Sequence, residues 1–222
     1  MKTILLLIMI LVCSTTVGYS ESFGSYIGKI VAEWLDDGRK MRLLDDFAYV
    51  DPFGSRWDAP KGSIVDGASI PKFAWSFIGG PFEGSYRNAS VIHDVACEQR
   101  SRDWRTVHEA FYTGMLASGV QVLKAKIMYA AVYFLGPRWP VVKILEKEMI
   151  TSSPEQICTS IQGQIVCETV MREKRTKVQV PELFAPPERE LEQNQFDLLV
   201  TRINERESSS SPMSLEEIRS FR

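Results

Sequence analysis

The sequence predicts an α+β protein, in which a small N-terminal antiparallel β meander is followed by a helical bundle of three to four helices. Short apolar stretches between residues 26 and 65 are separated by turn residues, as is typical of antiparallel strands. From residue 85 the apolar spacing changes to three and four residues, which indicates helices. The 222 residues are 45% hydrophobic, which suffices for one core in a domain of about 100–150 residues.

The first twenty residues have the pattern of a secretory signal peptide. Met1-Lys2 is positive, residues 4–12 are apolar, and small or polar residues follow up to Ser20. This predicts a mature chain that begins at Tyr19 or Glu21 and is periplasmic or secreted. An uncleaved anchor stays open, although the apolar run is shorter than the roughly 20 residues of a membrane-spanning helix.

The β meander is predicted from two longer strands and two short ones. Residues 26–34 and 41–50 form the longer strands, and the Asp-Asp-Gly turn at 36–38 makes them a hairpin. After a turn at 51–54, short strands are expected at 55–59 and 63–65.

The helices are predicted from capping residues and apolar spacing. Asp66 to Pro71 starts a short helix through Phe73 and Trp75, which the glycine-rich turn at 79–84 ends. Longer helices follow over 85–99, 104–118 and 122–135, with one more proposed over 141–149.

Two cysteines flank a predicted hairpin turn at Gln162-Gly163. With these two residues as the loop, Cys158 and Cys167 form a non-hydrogen-bonded pair, in which side chains approach closely. The prediction is a disulfide, which needs an oxidising compartment such as export would provide. The alternative is two unrelated free thiols.

These features divide the chain into four parts. Residues 1–20 are the signal peptide, 24–150 the globular domain, 151–175 the disulfide hairpin, and 176–222 a polar, partly disordered tail that can end in a short helix capped by Ser214. The net charge of −2 argues against a nucleic-acid partner. The partners left open are an envelope or membrane surface and a protein that binds the tail.

Both histidines fall on the core-facing sides of neighbouring helices. His93 lies about two turns before the bend at 100–103 and His108 between one and two turns after it, so their imidazoles should meet. A structural pair is one interpretation, because buried imidazoles need hydrogen-bond partners. The other is a His-Asp hydrolytic site, with His93 or His108 as general base beside Asp66 or Asp94.

A metal site is a further interpretation of the same residues. His93 and Cys97 are spaced i, i+4, so both can reach one ion, and His108 or Asp94 can add a ligand. The cofactor would be a divalent metal, Zn or Ca. Ser69 as a nucleophile is the weaker alternative, because helix capping explains its position.

Five blocks in order resemble the bacterial and phage family called domain of unknown function 1353. They are DGASIP, IGGPFEG, VIHDVAC, WRTVHEAFYTGMLASGV and MYAAVYFLGPRW, and the match covers about residues 26–139. The resemblance implies a small α+β domain and brings no established activity.

The His93-Asp94 pair also looks like that of the secreted phospholipases of the A2 class. That resemblance implies His93 as the base, Asp94 as a calcium ligand, and a loop at Gly79, Gly80 and Gly84 upstream. The chain departs from it in two ways. His108 stands where an aspartate would orient the base, and the paired disulfides are missing.

The function expected from the sequence is therefore that of an exported protein of an uncharacterised family. One hypothesis is an envelope hydrolase that uses a His-Asp or metal-assisted site. The other is a non-catalytic envelope or assembly protein, in which the histidine pair is structural.

Overall fold

The computed structural model describes residues 22–67, 84–185 and 191–221. Eight strands are present in these ranges: β1 Ser25–Ile27, β2 Ala32–Trp34, β3 Met41–Leu43, β4 Phe47–Val50, β5 Arg56–Ala59, β6 Ile64–Val65, β7 Val141–Ile161 and β8 Gln164–Phe184. The helices are α1 Arg87–Gln99, α2 Trp104–Ala117, α3 Val122–Leu135, α4 Gln193–Glu207 and α5 Leu215–Arg219. A 3-10 turn, Gly84–Tyr86, leads into α1.

The first six strands form two sheets. Each predicted long strand is interrupted near its middle, at Gly28 with a φ of 83° and at the bend of residues 44–45. The halves then join different sheets, with strand orders β1-β4-β5 and β2-β3-β6. The turn at 36–38 does connect β2 to β3, as the sequence predicts.

The prediction of an N-terminal meander followed by a helical bundle is wrong. Strands occur in three sheets, and the third, made of β7 and β8, follows the helices α1 to α3. The helices are not a bundle, because α1 packs against β5 and β6 on one side and against α2 on the other. Its apolar residues accordingly enter two different clusters.

The two apolar clusters lie on either side of α1 and α2. One joins the strands to these helices, through residues such as Trp57, Val91 and Trp104. The other is formed around α3, in which every residue from Met128 to Val132 is buried, so the helix is covered on all sides there. The histidine pair lies on α1 and α2, and each of these helices contributes buried residues to both clusters.

The third sheet is a long hairpin that begins at Val141, where the sequence suggested a helix. That suggestion over 141–149 is wrong. Each strand has 21 residues, so the hairpin is about 70 Å long by the usual rise per residue. Nearly all of its side chains are exposed, and the disulfide Cys158–Cys167 predicted from the turn at Gln162-Gly163 is present.

The C-terminal segment is more ordered than the polar composition suggested. Helix α4 buries Phe196, Leu199 and Ile203, and α5 buries Ile218, all in the cluster around α3. Ser214 caps α5 by accepting a hydrogen bond from the Glu217 N–H, as predicted. The division of the chain into four parts stays a prediction, but residues 193–207 form a packed helix.

Several sequence predictions lie outside the described residues. They are the signal peptide, the short helix through Phe73 and Trp75, and the positions of Ser69, Gly79 and Gly80. Among the helices that the structure does describe, none has both the length and the apolar character needed to cross a bilayer.

Candidate metal centre

The two histidines are brought together by the antiparallel packing of α1 and α2. His93 Nε2 and His108 Nδ1 are 2.8 Å apart, as the sequence predicts from their distances to the bend. Asp103 begins α2 by accepting a hydrogen bond from the Arg105 N–H, and Arg100 ends α1 in a left-handed conformation. Both imidazoles are buried, with exposed fractions of 2% for His93 and 0% for His108.

The hydrogen bonds around the pair determine which ring nitrogens carry protons. His108 Nε2 is 3.2 Å from the carbonyl oxygen of Pro137, which can only accept, so this nitrogen donates. A neutral His108 then accepts at Nδ1, and His93 Nε2 is the donor. The remaining nitrogen of His93, Nδ1, can accept a hydrogen bond from the Cys97 thiol, whose Sγ is 3.8 Å away.

Burial keeps all three side chains neutral. It lowers the pKa of His93 to about 3. The pKa of His108 falls well below its ordinary value, through burial and then through the neighbouring His93. Burial, assisted by the charge of Asp94, raises the pKa of the Cys97 thiol to about 12, against the opposing charge of Arg100.

His93, Cys97 and His108 form a compact set of potential metal ligands, here called the ligand cluster. One donor atom from each lies within 4.8 Å of the others. Tetrahedral zinc at ordinary bond lengths separates two nitrogens by about 3.3 Å, and a sulfur from a nitrogen by about 3.5 Å. The observed distances are 2.8 Å between the nitrogens and 3.6 Å from Cys97 Sγ to His93 Nε2.

The ligand cluster therefore fits a zinc-type ion after the rings separate by about half an ångström and the His93 proton moves from Nε2 to Nδ1, which leaves Nε2 free to bind. The carbonyl of Pro137 holds His108 in the tautomer whose Nδ1 faces the cluster, an outer hydrogen bond typical of metal-binding histidines. Nitrogen and sulfur donors suit zinc, whereas calcium takes oxygen ligands. Of the two ions expected from the sequence, this set favours zinc.

Asp94 was expected beside the histidines, but the ligand cluster identified among the described residues does not include it. Its Oδ2 accepts hydrogen bonds from the backbone N–H groups of Asp66 and Gly67, at 3.1 Å and 2.7 Å. Asp66, the other predicted acid, forms an exposed ion pair with Arg39 at 3.1 Å. The two aspartates are thus connected to each other through the backbone at residues 66–67.

A cleft with a volume of about 410 Å³ borders the ligand cluster. Its lining includes Lys40, Asp66, Asp94, Cys97, Glu98 and Arg100. Cys97 belongs both to the cluster and to the cleft, so the cleft is the route by which a ligand would approach. The sequence interpretation missed Lys40, Arg100 and the carbonyl of Pro137. Arg100 could have been found, because it follows Cys97 by three residues, at the end of α1.

The fold and the ligand cluster define a protein of mixed strands and helices, with a buried pair of histidines and a cysteine beside a cleft. Residues 41–132 match the family model described as "Protein of unknown function (DUF1353)", which confirms the resemblance noted in the sequence. The ligand cluster lies inside the matched segment.

Two similar proteins come from Sinorhizobium fredii. The uncharacterized protein y4jT is 41% identical over 160 residues, which are 66% of this chain and 48% of the relative. The uncharacterized protein y4iH is 46% identical over 103 residues, 46% of this chain and 43% of the relative. The chain thus spans less than half the length of either relative. No solved structure matches.

Proposed function

We propose that this protein is a metal-dependent hydrolase whose ion is held by the ligand cluster. The observation that carries the proposal is the convergence of His93 Nε2, His108 Nδ1 and Cys97 Sγ in a buried position beside a cleft. Three protein ligands with one position left for water or substrate are typical of catalytic zinc sites. Burial also keeps both imidazoles in the neutral form that binds metal.

The spacing along α1 supports this proposal. His93-Asp94-Val95-Ala96-Cys97 has ligand types at i and i+4 with an acid at i+1, the arrangement of the zinc-protease pattern His-Glu-x-x-His. In that pattern the acid is the general base. Asp94 lines the cleft and is oriented by two backbone N–H groups, so it can take a proton from a water in the cleft.

The ion would polarise a substrate carbonyl and lower the pKa of its bound water. The chain's own residues supply the rest. His108 is held in its tautomer by Pro137, and Asp94 is held beside the cleft by the backbone of residues 66–67. This differs from the His-Asp hydrolase inferred from sequence, because Asp94 Oδ2 accepts hydrogen bonds from the backbone of residues 66–67, whereas the imidazoles bond to each other and His108 bonds to Pro137.

A non-catalytic role for the pair is the second candidate. The hydrogen bond between the imidazoles and the one from His108 to Pro137 already give both rings a partner. A protein that needed the pair only for stability would show the same contacts. Metal binding and turnover that depends on Asp94, measured together, separate the two candidates.

The test is metal binding by the purified full chain. We expect one Zn²⁺ or Co²⁺ per chain, with the ligand-to-metal absorption of a Co²⁺–thiolate bond. His93→Gln, His108→Gln and Cys97→Ser should each abolish the absorption. Thr106→Ala, an exposed change on α2, is the matched control, and Cys158→Ser/Cys167→Ser removes the disulfide cysteines without touching the cluster.

Hydrolysis is tested on the loaded protein with small ester and peptide substrates. Asp94→Asn should retain the metal and lose at least tenfold in kcat, because a general base typically contributes 10²–10⁴-fold. A folded wild-type chain that binds no stoichiometric metal contradicts the proposal. A chain that binds metal but gives no turnover dependent on Asp94 supports the structural alternative.

We further propose that the protein works outside the cytoplasm. The disulfide at Cys158–Cys167 supports export, because such bonds persist in oxidising compartments, and residues 1–20 have the pattern of a signal peptide. N-terminal sequencing of periplasmic and membrane fractions is the test. A mature chain starting at Tyr19 or Glu21 is expected, and an intact Met1 in the membrane fraction contradicts cleavage.

A further inference from the structure

The charged residues of the cleft differ in whether they already have partners. Asp66 pairs with Arg39, and Asp94 accepts two backbone hydrogen bonds. Lys40 and Arg100 line the same cleft, and within the described ranges neither forms a salt bridge. Glu98 is exposed and is likewise not paired with either cation there. The positive charge in the cleft is thus available to a ligand.

Arg100 is held in an unusual backbone conformation at the end of α1. Its φ of 50° and ψ of 27° are left-handed, a conformation that glycine and asparagine adopt most easily at a helix end. Strained residues of this kind are often found at functional sites. The Arg100 N–H still closes the helix on the Ala96 carbonyl.

Arg100 shares a cleft with Cys97 of the ligand cluster. Arg100 caps α1 three residues after Cys97, and both residues line the cleft. A group bound by Arg100 would therefore lie next to the proposed ion.

We infer that the substrate carries a free carboxylate, which Arg100 binds while the reacting carbonyl lies at the ligand cluster. This inference rests on the proposed function. A guanidinium binds a carboxylate with two parallel hydrogen bonds, which orients it as well as holding it. A peptide that is cleaved next to its C-terminal residue has this chemistry.

A carboxylate fits the cleft better than a phosphate does. Three acidic residues, Asp66, Asp94 and Glu98, line it, and a dianion would be repelled more strongly than a monoanion. In the hydrolysis, the oxygen of water bonds to the carbonyl carbon and the bond from that carbon to the leaving group breaks. The proton accepted by Asp94 passes to the leaving group, so no further reactant is needed.

The probe is 3-mercaptopropionate, compared with 3-mercaptopropionamide, on the Co²⁺-loaded chain. Both thiols can bind the ion, so the Co²⁺ spectrum reports their affinity, and only the acid can pair with Arg100. We expect the acid to bind about tenfold more tightly than the amide, equivalent to about 1.4 kcal/mol. Arg100→Gln should remove this preference, Arg100→Lys should keep part of it, and Lys40→Gln should change it less.

The outcomes separate the inference from the proposed function. Failure to load Co²⁺ contradicts both. A loaded chain that binds acid and amide equally, or neither, overturns the inference and leaves the metal site standing. An Arg100→Gln variant that still binds the acid more tightly than the amide also overturns the inference and leaves the metal site standing. Because Arg100 is exposed at a helix end, its variants should fold, and an unchanged Co²⁺ stoichiometry verifies this.

Discussion

Two antiparallel pairs of elements, one of helices and one of strands, each bring together two side chains of the same type. They hold these side chains by different kinds of interaction. Helices α1 and α2 bring His93 to 2.8 Å from His108 inside the core. Strands β7 and β8 bring Cys158 and Cys167 together with a Cα–Cα distance of 4.0 Å, on an exposed hairpin. The histidines are held by surrounding packing, whereas the cysteines are held by a covalent bond.

The difference shows what each environment requires. In the core, apolar neighbours such as Phe111 and Trp104 fix the imidazoles, and their polar atoms need hydrogen-bond partners. On the hairpin there is little packing, and an isolated two-stranded sheet is only marginally stable in water. The type I′ turn at Gln162-Gly163, where both residues have positive φ, sets the register that the disulfide then fixes.

The largest expected effect is on the core pair. His108→Ala should lower the free energy of unfolding by about 3 kcal/mol, because it leaves a cavity and removes the partners of two buried polar groups. Urea denaturation of the metal-free full chain measures it. Thr106→Ala, exposed on the same helix, should change the value by less than about 0.5 kcal/mol. Equal effects of the two substitutions would mean that packing does not hold the pair.

The next effect is the pH dependence of stability without metal. The folded-state pKa of His93 is lowered to about 3, and that of His108 is also lowered. Below the unfolded-state value of about 6.5, the unfolded chain therefore binds protons that the folded chain does not. The contribution of the two neutral histidines to the free energy of unfolding is intact above pH 6.5. It is lost as the pH falls below this value, by about 1.4 kcal/mol per pH unit for each histidine.

The loss of stability below pH 6.5 can be assigned to the histidines, because carboxylates lose their contributions at a lower pH. Asp37 and Glu217 have lowered pKa values because backbone N–H groups bond to their carboxylates, but their contributions are lost only below about pH 4. Urea denaturation between pH 7 and pH 5, with a chelator present, gives the slope of the free energy of unfolding against pH. His93→Gln/His108→Gln should flatten it, and a wild-type curve already flat over this range would show that the pair is not buried in solution.

The sequence predicts the core pair well, because helical spacing is a strong local signal. Helices were expected at 85–99, 104–118 and 122–135, close to the observed α1, α2 and α3. With both helix bounds known, the facing registers of His93 and His108 follow. The carbonyl of Pro137 could not be predicted, since a backbone acceptor 29 residues away has no sequence signal.

The sequence predicts the sheets poorly, because short strands have little periodicity. Strands of two to four residues do not reveal that Gly28 separates β1 from β2 and sends them to different sheets. The prediction of a helix over 141–149 is wrong, even though Val141, Leu145 and Met149 are spaced like a helix face. The sequence of α4 does contain a helical pattern, but the polar residues around it obscured this pattern. The apolar residues with helical spacing are Phe196, Leu199, Val200 and Ile203.

The smallest expected effect on global stability comes from the hairpin. Cys158→Ser/Cys167→Ser should change the free energy of unfolding of the domain, measured with urea, by less than about 0.5 kcal/mol, because exposed residues outside the core contribute little to it. Locally, a disulfide that closes so short a loop contributes about 2–3 kcal/mol. Amide hydrogen exchange near residues 158–167 should therefore accelerate by about 30- to 150-fold, by the relation of 1.4 kcal/mol per tenfold. Exchange in α1 and α2 should stay unchanged, and a disulfide variant that also destabilised these helices would show that the two regions are coupled.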